Sequence, residues 1–237
     1  MSCPSSVQIR RLETPSNREI EGLSDVLRDC VEGGASVGFM VPLTGSKTEA
    51  YWRSVLESAT RGERVVLLAE EATGAIVGTV QVIWAQFENQ PHRADVAKML
   101  VHRRARRQGI GAALLAAAEH CALSADRTLL VLDTASSDAE RLYVRRGWQR
   151  VGTVPGYALW PAGGFCSTTI FFKELRRGPS RTAAPDQPGN LPQFDNGGRP
   201  MRRIKSRKRG EERRGSITGS TWRYRIQGLR SSYARSR

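Results

Sequence analysis

Gly109 and Gly111 stand one residue apart at the head of an apolar helical run, directly behind a group of arginines. Glycine lets a ligand approach the main chain with no Cβ in the way. A helix that begins there points unpaired N–H groups and the positive end of its dipole outward, which makes an anion site. Arg103, Arg104, Arg106 and Arg107 add positive charge beside it. The stretch Arg106-Arg107-Gln108-Gly109-Ile110-Gly111-Ala112 is therefore a candidate phosphate loop, with a pyrophosphate as its natural occupant. A tight turn with no ligand is the alternative. The stretch lacks both the G-x-G-x-x-G spacing of a dinucleotide fold and the G-K-[ST] of a P-loop. A second chemical feature is a pair of carboxylates. Asp95 and Asp133 each lie at or beside the end of an apolar strand, where packing alone would favour an apolar residue. Either could exchange a proton with a substrate, or simply cap a turn or pair with an arginine such as Arg93. His92 could do so too, but beside Pro91 in a loop it reads more simply as exposed.

The elements that must hold these residues follow from periodicity. Val7 to Leu12 alternates apolar and polar and reads as an edge strand. Ile20, Leu23, Val26, Leu27, Cys30 and Val31 recur at helical spacing and end at Gly33-Gly34. A second helix is expected to open at Ser46, with Glu49 completing a capping box, and to stop at Gly62. Arg64 to Glu70 and Ala75 to Trp84 read as a hairpin about Thr73-Gly74, followed by a strand from Ala94 to His102. The helix behind the glycine loop runs from Gly109 to about Leu123. Thr128 to Asp133 is a continuous apolar run, the pattern of a strand buried on both faces. A short helix, Ser137 to Arg146, closes on Gly147, and two strands, Trp148 to Val154 and Thr168 to Lys173, complete the series. The order implies an α/β fold: a mixed central sheet of about seven strands with about four helices packed on it, and a parallel crossover through the long helix.

At this point the residues resemble a known family. Arg106 to Gly111, read as R-x-x-G-x-G after a strand, is similar to the acetyl-coenzyme A loop of the GNAT superfamily of N-acetyltransferases. Met99-Leu100-Val101-His102 before the loop agrees, as do the strand ending at Asp133, Ala139-Glu140-Arg141-Leu142-Tyr143, and Arg146-Gly147-Trp148. Arg93 to Met99 and Leu132-Asp133-Thr134 look closest to the tabtoxin-resistance type. The resemblance covers about residues 7–175 and implies the site residue by residue. Main-chain groups of Met99, Leu100 and Val101 would pair with the pantetheine arm as an added strand, and one N–H would polarise the thioester carbonyl. Arg106, Arg107, Gln108, Gly109, Ile110, Gly111 and Ala112 would hold the pyrophosphate. Tyr143 would protonate the departing thiolate, with packing on the sheet as its alternative. Asp95 or Asp133 would take the proton of the acceptor amine. The acceptor is expected to be a small-molecule amine (a toxin, an antibiotic or an amino-acid-like compound), attacked directly. No metal is expected.

Composition bounds the rest. The chain has 237 residues and a formal net charge of +14. That charge is concentrated after Leu175, where 15 Arg and 2 Lys face only Asp186, Asp195, Glu211 and Glu212. The segment is poor in apolar residues and rich in Gly, Ser and Pro, so a domain at about 6–175 and a disordered Arg-rich tail at 176–237 are expected. Residues 199–214 could neutralise phosphates nonspecifically, with Trp222, Tyr224 and Tyr233 stacking on bases. The alternative is an unselected extension. A nucleic-acid-binding protein with an acetyltransferase-like scaffold, a protein N-acetyltransferase and a homodimer stay open as further readings. No stretch approaches the roughly 20 apolar residues of a membrane span, and no secretory signal is read, so a cytoplasmic protein is expected. Cysteines 3, 30, 121 and 166 show no metal-ligand spacing and read as free thiols.

Overall fold

The computed structural model describes residues 7–13 and 15–176. The expected basic tail, apart from Arg176, lies outside them, as do all readings made on 199–214. In chain order the elements are β1 (Val7–Arg11), α1 (Asn17–Glu32), α2 (Gly45–Thr60), β2 (Arg64–Glu71), β3 (Ile76–Trp84), β4 (Arg93–Val101), α3 (Ile110–Ser124), β5 (Leu129–Thr134), α4 (Ser137–Arg145), β6 (Gln149–Leu159) and β7 (Phe165–Glu174). One 3-10 turn, Arg103–Ala105, precedes α3. The strands form one sheet in the order β1-β2-β3-β4-β5-β7-β6, antiparallel throughout except for the β4–β5 pair. This is the expected mixed sheet, with α3 as the crossover between its two parallel strands.

Each helix is defined by its apolar stripe and its ends. In α1 the residues Ile20, Leu23, Leu27, Cys30 and Val31 are buried at three- and four-residue spacing. Its first turn carries a capping box, in which the Glu19 carboxylate accepts from the Ser16 N–H at 3.1 Å and from the Ser16 hydroxyl. The cap of α2 is not the expected Ser46–Glu49 box. Thr44 stands earlier in extended conformation, and its Oγ1 accepts from the Lys47 N–H at 3.3 Å, so the helix begins before Ser46. The end of α4 is as expected: Gly147 has φ +77°, and the Trp148 N–H returns to the Tyr143 carbonyl at 3.0 Å.

Two cores lie on opposite faces of the sheet, and β2 shows how they are divided. Val65, Leu67 and Ala69 face α3, whereas Val66 and Leu68 face α1 and α2. The strands buried on both faces are thus β2 and β3. The expectation for β5 is corrected: Leu130 and Leu132 are buried toward α3, but Leu129 and Val131 are half-buried and Asp133 is exposed. The apolar run looked symmetric in sequence, but β5 stands where the sheet parts and only one of its faces is fully covered.

Candidate active site

β4 and β5 pair over only three residues, Arg93 to Asp95 with Leu129 to Val131. Beyond them β4 runs on to Val101 with no strand on that side, while β5 stays paired to β7 as far as Thr134. The two strands therefore part, leaving one edge of β4 unpaired at Met99, Leu100 and Val101. Such an edge presents the main-chain groups that an extended ligand can join as a further strand.

The parting coincides with a bulge in β4. Ala97 pairs with Gln81 and Leu100 with Thr79, so three steps on β4 match two on β3. Lys98 absorbs the extra residue at φ +49°, in the left-handed region that side chains other than glycine rarely occupy. The extra residue also inverts the alternation of side chains. Ala94 and Val96 belong to the core under α3, yet Leu100 belongs to the core under α1 and α2.

The glycine loop follows at the end of this strand. Arg107 has φ +62°, and Gly109 is left-handed at φ +80° as the N-cap of α3. Gly109 brings no side chain to the cap, so the first N–H groups of α3, from Ile110 to Ala112, start without an internal partner. A Cβ on Gly109 would meet nothing within 4 Å, so open space lies in front of the turn and its backbone angle is what calls for glycine. Gly111 differs: its Cβ would lie 3.3 Å from Leu142 Cδ2, so its small size serves the packing of α3 on α4.

The arginine cluster is largely paired elsewhere. Arg103 binds Asp29 at 2.9 Å and Arg104 binds Glu71 at 2.7 Å. Arg106 turns back on the strand, its Nε donating to the Val101 carbonyl at 3.0 Å. Arg107 has no partner among the described residues and is exposed. Two of the four arginines are thus paired with carboxylates, and only Arg106 and Arg107 keep unpaired charge beside the helix start.

Tyr143 is 4% exposed and packs between Trp148 and Phe171, with ring centroids 5.8 and 5.6 Å away. Its hydroxyl makes no hydrogen bond among the described residues. Burial pushes its pKa up, and the charge of Asp133 pushes it further, so it holds its proton across the neutral range. Asp133 accepts from the Thr168 hydroxyl at 2.8 Å. Asp95 pairs with Arg93 at 3.1 Å, the alternative that the sequence left open. Burial nevertheless raises the Asp95 pKa; Arg93 works against this, and the neighbouring charge of Asp133 adds to it. Both carboxylates thus lie within electrostatic range of one another at the opening of the gap. Val131 and Leu132, like Ala94 and Asp95, alternate across the sheet, which puts Asp95 and Asp133 on the face away from α3. His92 is exposed, and its carbonyl, not its ring, is engaged, accepting from Thr128 and Leu129.

Sequence reasoning missed the residues that complete this face. Lys98 lies over the Tyr51 ring, Nζ 5.9 Å from the centroid, and Tyr51 packs edge-on to Phe39 at 5.1 Å. Gln81, fully buried, donates to the Tyr51 hydroxyl at 3.1 Å and accepts from Arg64 at 3.0 Å. Burial pushes the Lys98 pKa down, Asp133 opposes this, and Arg64 adds to it. The signal that singles out Asp95 and Asp133, a charge where packing would favour an apolar residue, applies equally to Lys98. No metal-binding group of side chains occurs among the described residues.

Comparison with known proteins accords with this geometry. Residues 61–150 match the acetyltransferase (GNAT) domain family, a span that holds the parted strands, the glycine loop and Tyr143. The chain is 26% identical over 166 residues to an uncharacterised N-acetyltransferase of Azospirillum brasilense, covering 68% of this chain and 96% of that one. The fold is shared with the ribosomal-protein-alanine N-acetyltransferase of Brucella melitensis (TM-score 0.58, 23% identity, 71% of this chain and 99% of that one). It is also shared with a phosphinothricin acetyltransferase of Sinorhizobium meliloti in complex with acetyl-coenzyme A (TM-score 0.59, 16% identity, 76% and 94%). Over residues 61–150 the chain is similar to the GNAT acetyltransferases. It is an acetyl-coenzyme A-dependent N-acetyltransferase.

Proposed function

We propose that this enzyme acetylates the amine of a small molecule by direct attack, and that within its family it stands closest to the tabtoxin-resistance type. The observation that carries the reading is the gap between β4 and β5, with Asp95 and Asp133 on one face and the protonated Tyr143 on α4. The coenzyme supplies an activated acetyl group as a thioester. In this reading the free edge of β4 at Met99, Leu100 and Val101 aligns the pantetheine arm, and one of its N–H groups polarises the thioester carbonyl. The turn from Arg106 to Ala112 binds the pyrophosphate: the N–H groups at the uncapped start of α3 carry most of the interaction, and Arg107 adds charge. Gln108 contributes through its main chain.

An amine is mostly protonated at neutral pH and cannot attack until that proton leaves. Asp95 and Asp133 are the acceptors within the gap, directly or through a water. The raised pKa of Asp95 brings its basicity closer to neutral pH, which favours proton transfer. Tyr143, whose hydroxyl is unengaged, gives its proton to the departing thiolate. The expected domain near 6–175 contains every one of these groups.

The test is a panel of amines scored by thiol release, including peptides with a free N-terminus because one fold relative acts on a ribosomal protein. Turnover of small amines well above that of peptides supports the reading. Turnover confined to peptides replaces it with a protein N-acetyltransferase.

A further inference from the structure

Lys98 is the residue of this site that the reaction as read above does not use. Its backbone adopts a strained left-handed angle at the bulge, a conformation that persists only where its surroundings impose it. The bulge turns its side chain onto the face that carries Asp95 and Asp133. The ammonium is half-buried, yet no carboxylate lies within 4 Å of it among the described residues. Asp133 attracts it from farther off but is engaged by Thr168. It lies over the Tyr51 ring, which Gln81 and Phe39 hold in place. The α1–α2 loop closes over it: a Cβ on Gly38 would stand 3.7 Å from Nζ. Arg64, behind Gln81, adds a second positive charge at this end. A half-buried ammonium with no anion beside it carries an unmet desolvation cost. The same face therefore carries negative charge at Asp95 and Asp133 and positive charge at Lys98, with Arg64 behind it.

We propose that Lys98, seated on Tyr51, is a specificity residue that receives an acidic group of the acceptor. The acceptor is then a zwitterion, with its amine toward Asp95 and Asp133 and its carboxylate, or a comparable acid, toward Lys98. This rests on the small-molecule reading and narrows it, since a simple amine leaves the ammonium unpaired and gains nothing from it. The bulge acquires a function in turn: without the extra residue, Lys98 would point into the core under α3.

The experiment uses the full-length enzyme with acetyl-coenzyme A and a panel of amino acids, each paired with its carboxamide. In the wild type the acid is preferred over its amide by about tenfold or more in kcat/KM, mainly through KM, as expected for a charge-assisted contact. In K98M this preference collapses to roughly unity, and K98R, which keeps the charge, restores part of it. Affinity for acetyl-coenzyme A, measured by calorimetry, confirms that the variants are folded. K98Q repeats the comparison if K98M does not fold. Equal use of acid and amide by the wild type, or a preference that survives K98M and K98Q, overturns the subsite while leaving the small-molecule reading intact. No thiol release from any small amine, by protein that binds acetyl-coenzyme A, overturns both.

Discussion

The two halves of the proposed site are built in different ways. The donor half is made of backbone: an unpaired strand edge, a left-handed Gly109 and the open start of α3. The acceptor half is made of side chains drawn from α2, β3, β4, β5 and β7, namely Tyr51, Gln81, Asp95, Lys98, Asp133 and Thr168. A backbone cradle recognises what all acetyl-coenzyme A molecules share, and it tolerates substitution wherever the dihedral angles are kept. A side-chain site can be respecified by changing single residues without disturbing the fold. In the proposed site, the difference would put general chemistry in one half and substrate choice in the other.

That contrast can be broken most severely at the carboxylates. If Asp95 or Asp133 is the base, its Asn variant loses about 100- to 10,000-fold in turnover while binding acetyl-coenzyme A as before. Steady-state kinetics with calorimetry on D95N and D133N checks this, and both at wild-type rate would end the assignment. Because the Asp95 pKa is raised, the acid limb of the rate–pH profile lies above the ordinary carboxylate range if Asp95 is the base, and it disappears in D95N. The donor half responds in affinity instead. Gly109→Val forces a branched side chain into φ +80° and weakens acetyl-coenzyme A binding by about 10- to 100-fold. Gly111→Val presses on Leu142 and lowers stability by about 1–3 kcal/mol, read as a fall in melting temperature. If the two glycine variants behave alike, the distinction drawn between them is wrong.

Tyr143→Phe gives a smaller effect. A thiol of pKa about 8.5 leaves readily as its anion, so losing the proton donor lowers turnover by about tenfold and leaves coenzyme affinity intact. Unaltered turnover would return Tyr143 to the packing role that Trp148 and Phe171 already suggest.

The smallest change expected lies outside both halves. The Glu19 pKa is held down at about 2 by the Ser16 hydroxyl, with Arg10 adding to this and burial opposing it. A depressed carboxylate pKa contributes stability that is fully present above the unfolded value of about 4.3 and is lost as pH falls toward 2. Glu19→Gln therefore destabilises the fold by about 1 kcal/mol at pH 7 without altering turnover, and the gap in melting temperature closes as the solution is acidified toward pH 2.

Much of the backbone of the proposed donor half was legible in the sequence because its signals are local. Gly109 marks a left-handed turn from its own residue type, and Gly147 the end of α4. Features that depend on distant residues were not legible in this way. At Gly111 the sequence shows only the proposed cradle, whereas its packing neighbour Leu142 lies on another helix. The four arginines looked additive until Asp29 and Glu71, distant in sequence, took two of them. The cap of α2 was misplaced because Ser46 and Glu49 have the right spacing, whereas Thr44 is the residue with the right backbone angle.

The acceptor half was legible only as suspicion. A charged residue in an apolar strand can be noticed at Asp95 and Asp133, but nothing in the spelling says that they face the same gap. By itself the sequence determined the elements, their order and the left-handed turn at Gly109, because periodicity, helix ends and glycine angles act over a few residues. Only the tertiary structure decided where β4 and β5 part, that a bulge carries Lys98 across the sheet, and which charges are left unpaired. Those outcomes depend on strand pairing and on contacts between residues tens of positions apart, which no local pattern encodes.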